Sequence, residues 1–397
     1  MNYQKDFPVF KHGPLHYLDT AASSLTPFEV IESMNAFYQD TPVNVHRGAY
    51  DLSHQATLKY EGARQKIADF INADVIETIF TSGASHALNV VAYGLGENLK
   101  PGDEIITSEL EHHSNFLPWQ RLVSKKGAVL KFIPITEDGH ITLEAVQSLI
   151  TPQTKIIAIH GTSNTYGHTP PLKAIKKMVG KDVYVVIDGA QWLPHEKIDV
   201  KDLDVDFLAI SGHKMFGPNG IGVLYGKKEH LETMEPFFLG GEMNDSVTQE
   251  SHTFKELPYK FETGTPPIAE AIGLGAAVDY IQTIGYETIH SHTQALKQKA
   301  LTALKQRPDV KVYNENSLGS IILFNIEGVH PHDAVTAFDE YHVAIRAGHH
   351  CAQLLMRWLK VPATLRASFY IYNTEEDVDV FIKACDEAIQ FFKGAFQ

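Results

Sequence analysis

Cysteine is nearly absent from the sequence, since Cys351 and Cys385 are the only two among 397 residues. Two cysteines are too few for a disulfide framework, and such a content is typical of a reducing compartment. The chain also lacks any apolar run approaching the roughly 18 residues of a membrane span. Residues 1–8 contain no apolar signal core. We therefore expect a cytoplasmic protein without membrane association.

Positive charge is also scarce. Lys and Arg number 34 against 48 Asp and Glu, which gives a formal net charge of -14 at pH 7. This balance argues against nucleic acid as the main partner. Repeats and low-complexity tracts are missing too. With 44% hydrophobic and 21% charged residues, the composition is typical of a globular protein long enough for two domains.

Short apolar stretches alternate with helix-like segments over the first part of the chain. Seven of them predict strands, at residues 75–81, 104–107, 128–135, 155–160, 183–188, 207–211 and 222–225. This alternation indicates an α/β fold with a mostly parallel seven-stranded sheet covered by helices on both faces. In such a sheet the ligand crevice lies at the carboxyl ends of the strands.

The second part of the chain predicts a smaller α+β unit. A long helical stretch, residues 268–306, leads to strands near 319–326 and 364–371 and to a closing helix at 375–392. We predict a large domain over residues 17–282 and a small domain over residues 283–397. The N-terminal segment 1–16 is expected to return to the small domain.

Two strand ends carry opposite charges. Lys214 follows the apolar run 205–210 and precedes a turn rich in glycine and proline, while Asp188 ends the apolar run 183–188. A surface turn is the alternative for Lys214, because most lysines are solvated. A lysine and a carboxylate at neighbouring strand ends suit pyridoxal phosphate (PLP), with the lysine as Schiff base and the acid on the pyridine nitrogen.

Three further loops follow predicted strands. Gly83 and Ser85 open a helix whose N-terminus can hold a phosphate, although a simple helix cap is the alternative. His112 can stack on a flat ring and move protons, or can be an ordinary surface histidine. No third ligand at a familiar spacing accompanies His112 and its neighbour, so no metal site is predicted. Asn164 can hydrogen-bond a phenolic oxygen or a carboxylate.

The C-terminal part adds a thiol and a guanidinium. Gly348 predicts a turn that places Cys351 on a loop, where cationic neighbours favour the nucleophilic thiolate. Cys385 instead lies in a helical apolar stripe and is expected in the core. Arg366 is a single cation in an apolar strand. Its guanidinium requires a carboxylate, either from the protein or from an amino-acid substrate.

Several motifs together resemble a known family. They are Ser-Gly-His-Lys at 211–214 with Gly-Pro-x-Gly-Ile-Gly at 217–222, Asp-Gly-Ala-Gln at 188–191, Glu-His-His-x-Asn-x-x-Pro-Trp-Gln at 111–120, and Arg-x-Gly-His-His-Cys-Ala at 346–352. They resemble the class V aminotransferase-like, fold-type I PLP-dependent transferases, and most closely the SufS-type (group II) cysteine desulfurases. The resemblance spans residues 18 to 374.

The resemblance implies a PLP site that is shared between the subunits of a homodimer. Lys214 would form the Schiff base, and Asp188 would pair with the pyridine nitrogen. The remaining cofactor contacts implied are Gln191 near the phenolic oxygen, His112 stacked on the ring, Ser85, Ser211 and His213 with the Ala84 backbone on the phosphate, and Thr265 on the phosphate of the neighbouring subunit.

The resemblance also implies the reaction. Asn164 and Arg366 would bind the carboxylate of L-cysteine, with Arg346 nearby and His46 as a further substrate contact. Cys351 would take the sulfur as a persulfide, leaving L-alanine, and would pass it to a sulfur-acceptor protein of iron-sulfur cluster assembly.

Three positions depart from the family pattern. Ala84 replaces a threonine, so backbone amides must substitute for one hydroxyl on the phosphate. His86 replaces a glutamate, which puts any role of that acid in partner coupling in doubt. Leu354 replaces a proline after Cys-Ala-x, so a more mobile loop is expected.

Three alternatives remain open. A selenocysteine lyase shares the scaffold and differs in substrate preference. A transaminase, kynureninase or epimerase of the same class would have no need for the cysteine at 351. A cofactor-free sulfur-relay or scaffold protein on a decayed enzyme fold is the third, and the intact Lys214 and Asp188 argue against it.

Overall fold

The computed structural model describes the backbone of residues 3–395 and the side chains of residues 3–392. The strands are β1 His16–Tyr17, β2 Thr78–Thr81, β3 Glu104–Ser108, β4 Val129–Ile133, β5 Thr154–His160, β6 Tyr184–Asp188, β7 Phe207–Ser211, β8 Gly222–Gly226, β9 Asn244–Val247, β10 His252–Phe254, β11 Val310–Val312, β12 Ile321–Ile326, β13 Val343–Ala344, β14 Arg346–Gly348 and β15 Thr364–Ser368. The helices are α1 Phe28–Asp40, α2 Asp51–Phe70, α3 Ala84–Gly96, α4 Leu117–Lys126, α5 Leu143–Gln147, α6 Leu172–Val179, α7 Val200–Leu203, α8 Lys228–Thr233, α9 Ile268–Ile284, α10 Tyr286–Lys305, α11 Pro331–Asp339, α12 Gln353–Leu359 and α13 Glu375–Ala395.

The largest sheet has the strand order β2-β8-β7-β6-β5-β3-β4. Strand β8 is antiparallel to both of its neighbours, and the other adjacent pairs are parallel. The predicted mostly parallel seven-stranded sheet of an α/β fold is therefore confirmed.

Alternate residues of the central strands enter two different hydrophobic clusters. Ile157, Ile159 and Ile187 pack on the face covered by α2 and α9. Ala158 and Val186 pack on the opposite face, which α3 and α4 cover. Burial on both faces explains why these strands are nearly continuous apolar runs. It also leaves the strand ends as the place where polar side chains can gather.

A second sheet, in the order β11-β12-β15-β14, is wholly antiparallel. Its hydrophobic cluster includes residues of α10, α11 and α13 and contains Cys385, which is fully buried as expected. Strand β1 pairs in parallel with β13, so the start of the chain adds to this region. Phe7, by contrast, packs against Phe216 and Tyr372 in the main core.

Several predicted elements have different bounds in the structure. Residues Val75–Glu77 form a 3₁₀ turn with a capping box between Asp74 and Glu77, so β2 begins only at Thr78. The predicted helical stretch 268–306 is two helices, because Gly285 has φ 81 and ends α9. The strand ends 319–320 and 369–371 also lie outside β12 and β15.

The division at residues 282 and 283 falls in the last turn of α9 and remains a prediction. Residues 1–2 of the predicted N-terminal segment and residues 396–397 of the predicted small domain lie outside the described residues. Within residues 3–395, no helix combines the length and the apolar character needed to cross a membrane.

Candidate active site

A cavity of about 270 Å³ lies at the carboxyl ends of β3, β5, β6 and β7. We call it the central cavity. It brings together most of the predicted site residues, namely Ala84, Ser85, His112, Asn164, Asp188, Gln191, Ser211, His213, Lys214, Arg346, Cys351 and Arg366. The topology explains this convergence, because parallel strands end at the same edge of the sheet.

Lys214 ends the short 3₁₀ turn Gly212–Lys214 that follows β7. A tight reversal continues from it, in which the Gly217 amide donates to the Gly212 carbonyl at 3.0 Å. A Cβ at Gly217 would lie 2.8 Å from that carbonyl oxygen, so the turn requires glycine. Burial lowers the pKa of Lys214 to about 8, and the attraction of Asp188 opposes this shift. The amine is therefore partly neutral, and nucleophilic, near physiological pH.

Asp188 ends β6 and is buried. Its Oδ1 accepts a hydrogen bond from the Ala190 amide at 3.0 Å. Burial raises the pKa of Asp188, while the charge of Lys214 acts in the opposite direction. A cationic ring nitrogen in the cavity would favour the ionised carboxylate, as a PLP pyridinium requires. Gln191, on the same loop, donates through Nε2 to the Ala21 carbonyl at 2.6 Å.

Hydroxyl groups surround the N-terminus of α3. The Ala84 amide donates to Ser211 Oγ at 3.0 Å, and Ser85 Oγ lies 2.6 Å from Ser114 Oγ. Across this space, His213 Nδ1 lies 3.2 Å from Ser23 Oγ. A helix N-terminus surrounded by hydroxyl groups is suited to bind a phosphate. The residues present therefore fit PLP, with the Ala84 amide bonded to Ser211 Oγ in this structure.

His112 precedes a 3₁₀ turn, and its Nδ1 accepts a hydrogen bond from the Ser114 amide at 3.1 Å. This bond fixes the ring orientation and leaves the proton on Nε2. Burial, reinforced by the charge of Lys214, lowers the pKa of His112 to about 3. A neutral imidazole facing the cavity can stack on a flat ring without adding charge.

The buried Arg366 has the carboxylate partner that its sequence context requires. Its NH2 group lies 3.2 Å from Asp19 Oδ1, and its NH1 group donates to the Asn164 carbonyl at 2.9 Å. Arg346 NH2 lies 3.0 Å from Asp19 Oδ2, so two guanidinium groups share one carboxylate. Their excess positive charge favours a substrate carboxylate in the cavity. Sequence reasoning missed Asp19, since the two ends of the chain meet only in the fold.

Cys351 is exposed and lies on a constrained turn. Asn164 Nδ2 donates to the His350 carbonyl at 2.8 Å, and the His113 amide donates to the Cys351 carbonyl at 2.8 Å. The turn is thus held against the loops that follow β3 and β5. Leu354 is the second residue of α12, a position in the first turn where either leucine or proline is compatible with a helix.

Three residues named in the sequence analysis lie outside the central cavity. His46 Nε2 lies 2.8 Å from Glu61 Oε1, outside the central cavity. Thr265 lines a neighbouring apolar hollow that also contains Ser85 and Phe238. His86 accepts a hydrogen bond from the Ser82 amide at 3.1 Å, and burial lowers its pKa. His46 and Thr265 therefore lie outside the central cavity, although Thr265 shares its hollow with Ser85.

Sequence reasoning also missed a buried pair, His160 in the cavity lining and Glu111 next to it, whose side chains approach to 2.7 Å. The sequence did mark both residues, because Glu111 begins the Glu-His-His motif and His160 ends a predicted strand. Among residues 3–395, no group of three or more His, Cys, Asp or Glu side chains is arranged to hold a metal ion.

Comparisons with known proteins relate the chain to one family. The Aminotransferase class-V family profile matches residues 16–381. A probable cysteine desulfurase of Halalkalibacterium halodurans is 49% identical and covers 99% of this chain and 98% of its own. The crystal structure of the cysteine desulfurase CsdA from Escherichia coli has a TM-score of 0.92 at 38% identity, with 98% of each chain covered. The apo structure of a cysteine desulfurase from Thermococcus onnurineus NA1 has a TM-score of 0.93 at 39% identity, covering 98% of this chain and 97% of its own.

Proposed function

Because the chain belongs to the aminotransferase class-V family, we propose that it is a PLP-dependent cysteine desulfurase. It converts L-cysteine to L-alanine and retains the sulfur as a persulfide on Cys351. The observation that carries this proposal is the central cavity itself. An amine of lowered pKa, a buried carboxylate and an exposed thiol line one space.

When bound, PLP withdraws electrons from the α-carbon of the attached amino acid. Lys214 provides the amine that attaches the cofactor and, once free, removes the α-proton. Asp188 holds the pyridine nitrogen, and the amides and hydroxyls around Ala84 and Ser211 hold the phosphate. Arg366 and Asn164 orient the substrate carboxylate.

Cys351 performs the sulfur transfer. Its thiolate attacks the substrate sulfur, so a sulfur–sulfur bond forms while the carbon–sulfur bond breaks. The electron pair of the broken bond stays with the substrate carbon, which takes up a proton and leaves as alanine. The exposure of Cys351 allows the persulfide to be handed to an acceptor protein. We assign that acceptor to iron-sulfur cluster assembly and place the reaction in the cytoplasm, in agreement with two unpaired cysteines.

The direct test is to incubate the purified protein with L-cysteine and a reductant and to assay alanine and sulfide together. Equal amounts of the two products are expected. Pyruvate in place of alanine, or alanine without sulfide, would contradict the proposal. Borohydride reduction followed by peptide mapping should place the pyridoxyl label on Lys214, and a label on another lysine would contradict that assignment.

The same site is proposed to accept L-selenocysteine. A carbon–selenium bond is weaker than a carbon–sulfur bond, and a selenol is more acidic than a thiol. Selenium can therefore leave with less help from Cys351. Comparing the two substrates on one preparation tests this activity.

A homodimer is the proposed assembly. Thr265 lies outside the central cavity but beside it, next to the exposed apolar side chains Phe237 and Phe238. A second subunit that covers these side chains would bring its own Thr265 towards the neighbouring phosphate site.

A further inference from the structure

The loop that follows β5 connects the second sheet with the turn that carries Cys351. We call this loop, residues 163–168, the β5 loop. It is closed on itself, because the Ser163 amide donates to the His168 carbonyl and the Gly167 amide donates to the Ser163 carbonyl, both at 3.0 Å. These bonds couple the two ends of the loop, so a displacement at one end also moves the other.

One end of the β5 loop holds the Cys351 turn and the arginine that we assign to the substrate. Asn164 Nδ2 donates to the His350 carbonyl at 2.8 Å, and the Asn164 carbonyl accepts from Arg366 NH1 at 2.9 Å. A side-chain amide has two N–H donors, so Asn164 can hold the turn and bind a substrate carboxylate at the same time. The position of Asn164 therefore affects the distance between the thiol and the substrate.

The other end of the β5 loop is clamped by the connection between β11 and β12. Asn314 is buried in this connection, and its Nδ2 donates to the Tyr166 carbonyl at 3.1 Å and to the Ile321 carbonyl at 3.0 Å. Asn314 Oδ1 accepts from the Leu323 amide at 2.8 Å. Leu323 is in turn the register partner of Arg366 in β15. One side chain thus fastens the β5 loop to the second sheet.

A backbone contact reinforces this clamp. The Gly319 amide donates to the Gly167 carbonyl at 3.1 Å. A Cβ at Gly319 would lie 2.7 Å from the Gly167 carbonyl oxygen and 2.9 Å from the Gly167 Cα. Gly319 does not have a positive φ. Glycine is therefore needed at 319 for the close approach of two backbones and not for the local conformation.

We propose that Asn314 and Gly319 are positioning residues for sulfur transfer, which hold the β5 loop so that Asn164 keeps the Cys351 thiol at the substrate. Neither Asn314 nor Gly319 lines the central cavity, so both act through the loop. The inference rests on the proposed role of Cys351. It gives the second sheet a part in the step that this thiol performs.

Asn314→Ala removes the side chain that joins the β5 loop to β12. In a single turnover at saturating L-cysteine, alanine formation should slow about 10- to 100-fold, since a misplacement of about 1 Å can cost about 100-fold. Exchange of the substrate α-proton with solvent should be retained, because it requires Lys214 and not Cys351. A general loss of structure would lower both rates together.

Asn325→Ala is the matched control. The Asn325 side chain also makes three hydrogen bonds, with Tyr313 Oη, the Ala363 carbonyl and the Leu365 amide, but none of them reaches the β5 loop. This variant loses as many bonds as Asn314→Ala and should keep the wild-type ratio of the two rates.

Gly319→Ala tests the clamp without removing a hydrogen-bonding side chain, and it replaces Asn314→Ala if that variant does not fold. The added methyl group should push the two backbones apart and slow alanine formation, again with proton exchange retained. Unchanged alanine formation in the folded clamp variants, or equal losses of alanine formation and proton exchange, would overturn the proposal.

Hydrogen exchange of backbone amides, followed by mass spectrometry, tests the clamp in the resting protein. Peptides that span residues 163–168 and 348–353 should exchange faster in Asn314→Ala and Gly319→Ala, and at the wild-type rate in Asn325→Ala. Unchanged exchange at 348–353 in the clamp variants would overturn the proposal. If the wild-type protein forms no alanine from L-cysteine, the proposed function fails while the exchange rates still test the clamp, so the two failures are distinguishable.

Discussion

The Cys351 thiol is attached to a backbone that few cysteines adopt. Cys351 has φ 54, after His350 with φ 51 and Gly348 with φ 129. Left-handed conformations cost about 1–2 kcal/mol for a residue with a side chain. The hydrogen bonds from Asn164 and His113 to this turn offset part of that cost. The thiol is thereby held at the cavity, a placement that favours near-attack geometry over free motion.

Changing Cys351→Ser should separate the thiol from the cofactor chemistry. PLP binding and α-proton exchange should be largely intact, because Lys214, Asp188 and the α3 N-terminus are unchanged. Cysteine desulfuration should fall by orders of magnitude, because a hydroxyl is a far poorer nucleophile towards sulfur. Deuterium exchange into the substrate and sulfide release, assayed on the same PLP-saturated preparation, measure the two steps.

Selenocysteine should be affected less by this change, for the reasons of bond strength and acidity given above. Retained desulfuration of cysteine by Cys351→Ser would show that Cys351 is not the sulfur acceptor. Equal losses on both substrates, together with lost proton exchange, would instead indicate that the site had collapsed.

The lowered pKa of Lys214 predicts how the PLP-free protein loads its cofactor. The neutral amine is the reactive form, so the loading rate should rise about 10-fold per pH unit below pH 8 and level off above it. An unshifted lysine, with a pKa of 10.5, would keep gaining rate to much higher pH. Stopped-flow absorbance at increasing pH measures the profile.

The Asp188→Asn variant tests how the charge of Asp188 affects the pKa of Lys214. Loss of the carboxylate removes the attraction that opposes burial, so the midpoint of the loading curve should move to lower pH. A midpoint that moves to higher pH would contradict the stated balance of burial and charge at Lys214.

At the scale of single elements, Gly285 is the reason that residues 268–306 form two helices and not one. Its φ of 81 and ψ of 140 lie in a region that is nearly restricted to glycine, and a Cβ there would meet no atom within 4 Å. Gly285→Ala should therefore be destabilising through the backbone alone, by about 1–3 kcal/mol.

Gly62→Ala is the control, because Gly62 is an exposed residue inside α2 with equally open surroundings and ordinary helical φ. It should stabilise the protein by about 0.5–1 kcal/mol. Urea unfolding midpoints should therefore shift in opposite directions. An unchanged or raised midpoint for Gly285→Ala would contradict the role given to Gly285.

The strands could be predicted because burial on both faces produces long apolar runs, and several residues of the central cavity because they follow those runs. The 3₁₀ turn at Val75–Glu77 could not, since its residues continue an apolar pattern and only the capping box of Asp74 and Glu77 separates it from β2. Helix periodicity likewise continues across Gly285, and only its φ reveals the break.

The contacts between distant residues had no local signal. Asp19 meets Arg366 after the parallel pairing of β1 with β13 and the Asp19–Ser368 bridge bring both ends of the chain together. His160 could be recognised as a strand end, but its neighbour Asp188 depends on the register of β5 and β6. Sequence patterns therefore located the reactive groups and not the groups that hold them.

At the scale of the whole molecule, the proposed phosphate site lies beside an exposed apolar surface. Phe237, Phe238 and Leu239 are 37%, 52% and 65% exposed. Phe237 and Phe238 line the hollow that also contains Thr265 and Ser85. Contiguous exposed apolar groups are typical of a protein interface. Sedimentation at assay concentrations should therefore show a dimer.

A mixed dimer tests whether each site takes residues from both subunits. Prepared separately, the Lys214→Ala protein is expected to be inactive, and the Thr265→Ala protein is expected to bind PLP weakly. In a heterodimer of the two, one site combines Lys214 from one subunit with Thr265 from the other and should regain tight PLP binding and desulfuration. If Thr265 served the site of its own subunit, no site in that heterodimer would contain both residues, and mixing would restore nothing. The heterodimer can be prepared by co-expressing two differently tagged chains and purifying through both tags. The measurements are the amount of PLP bound per dimer and the sulfide released per bound PLP.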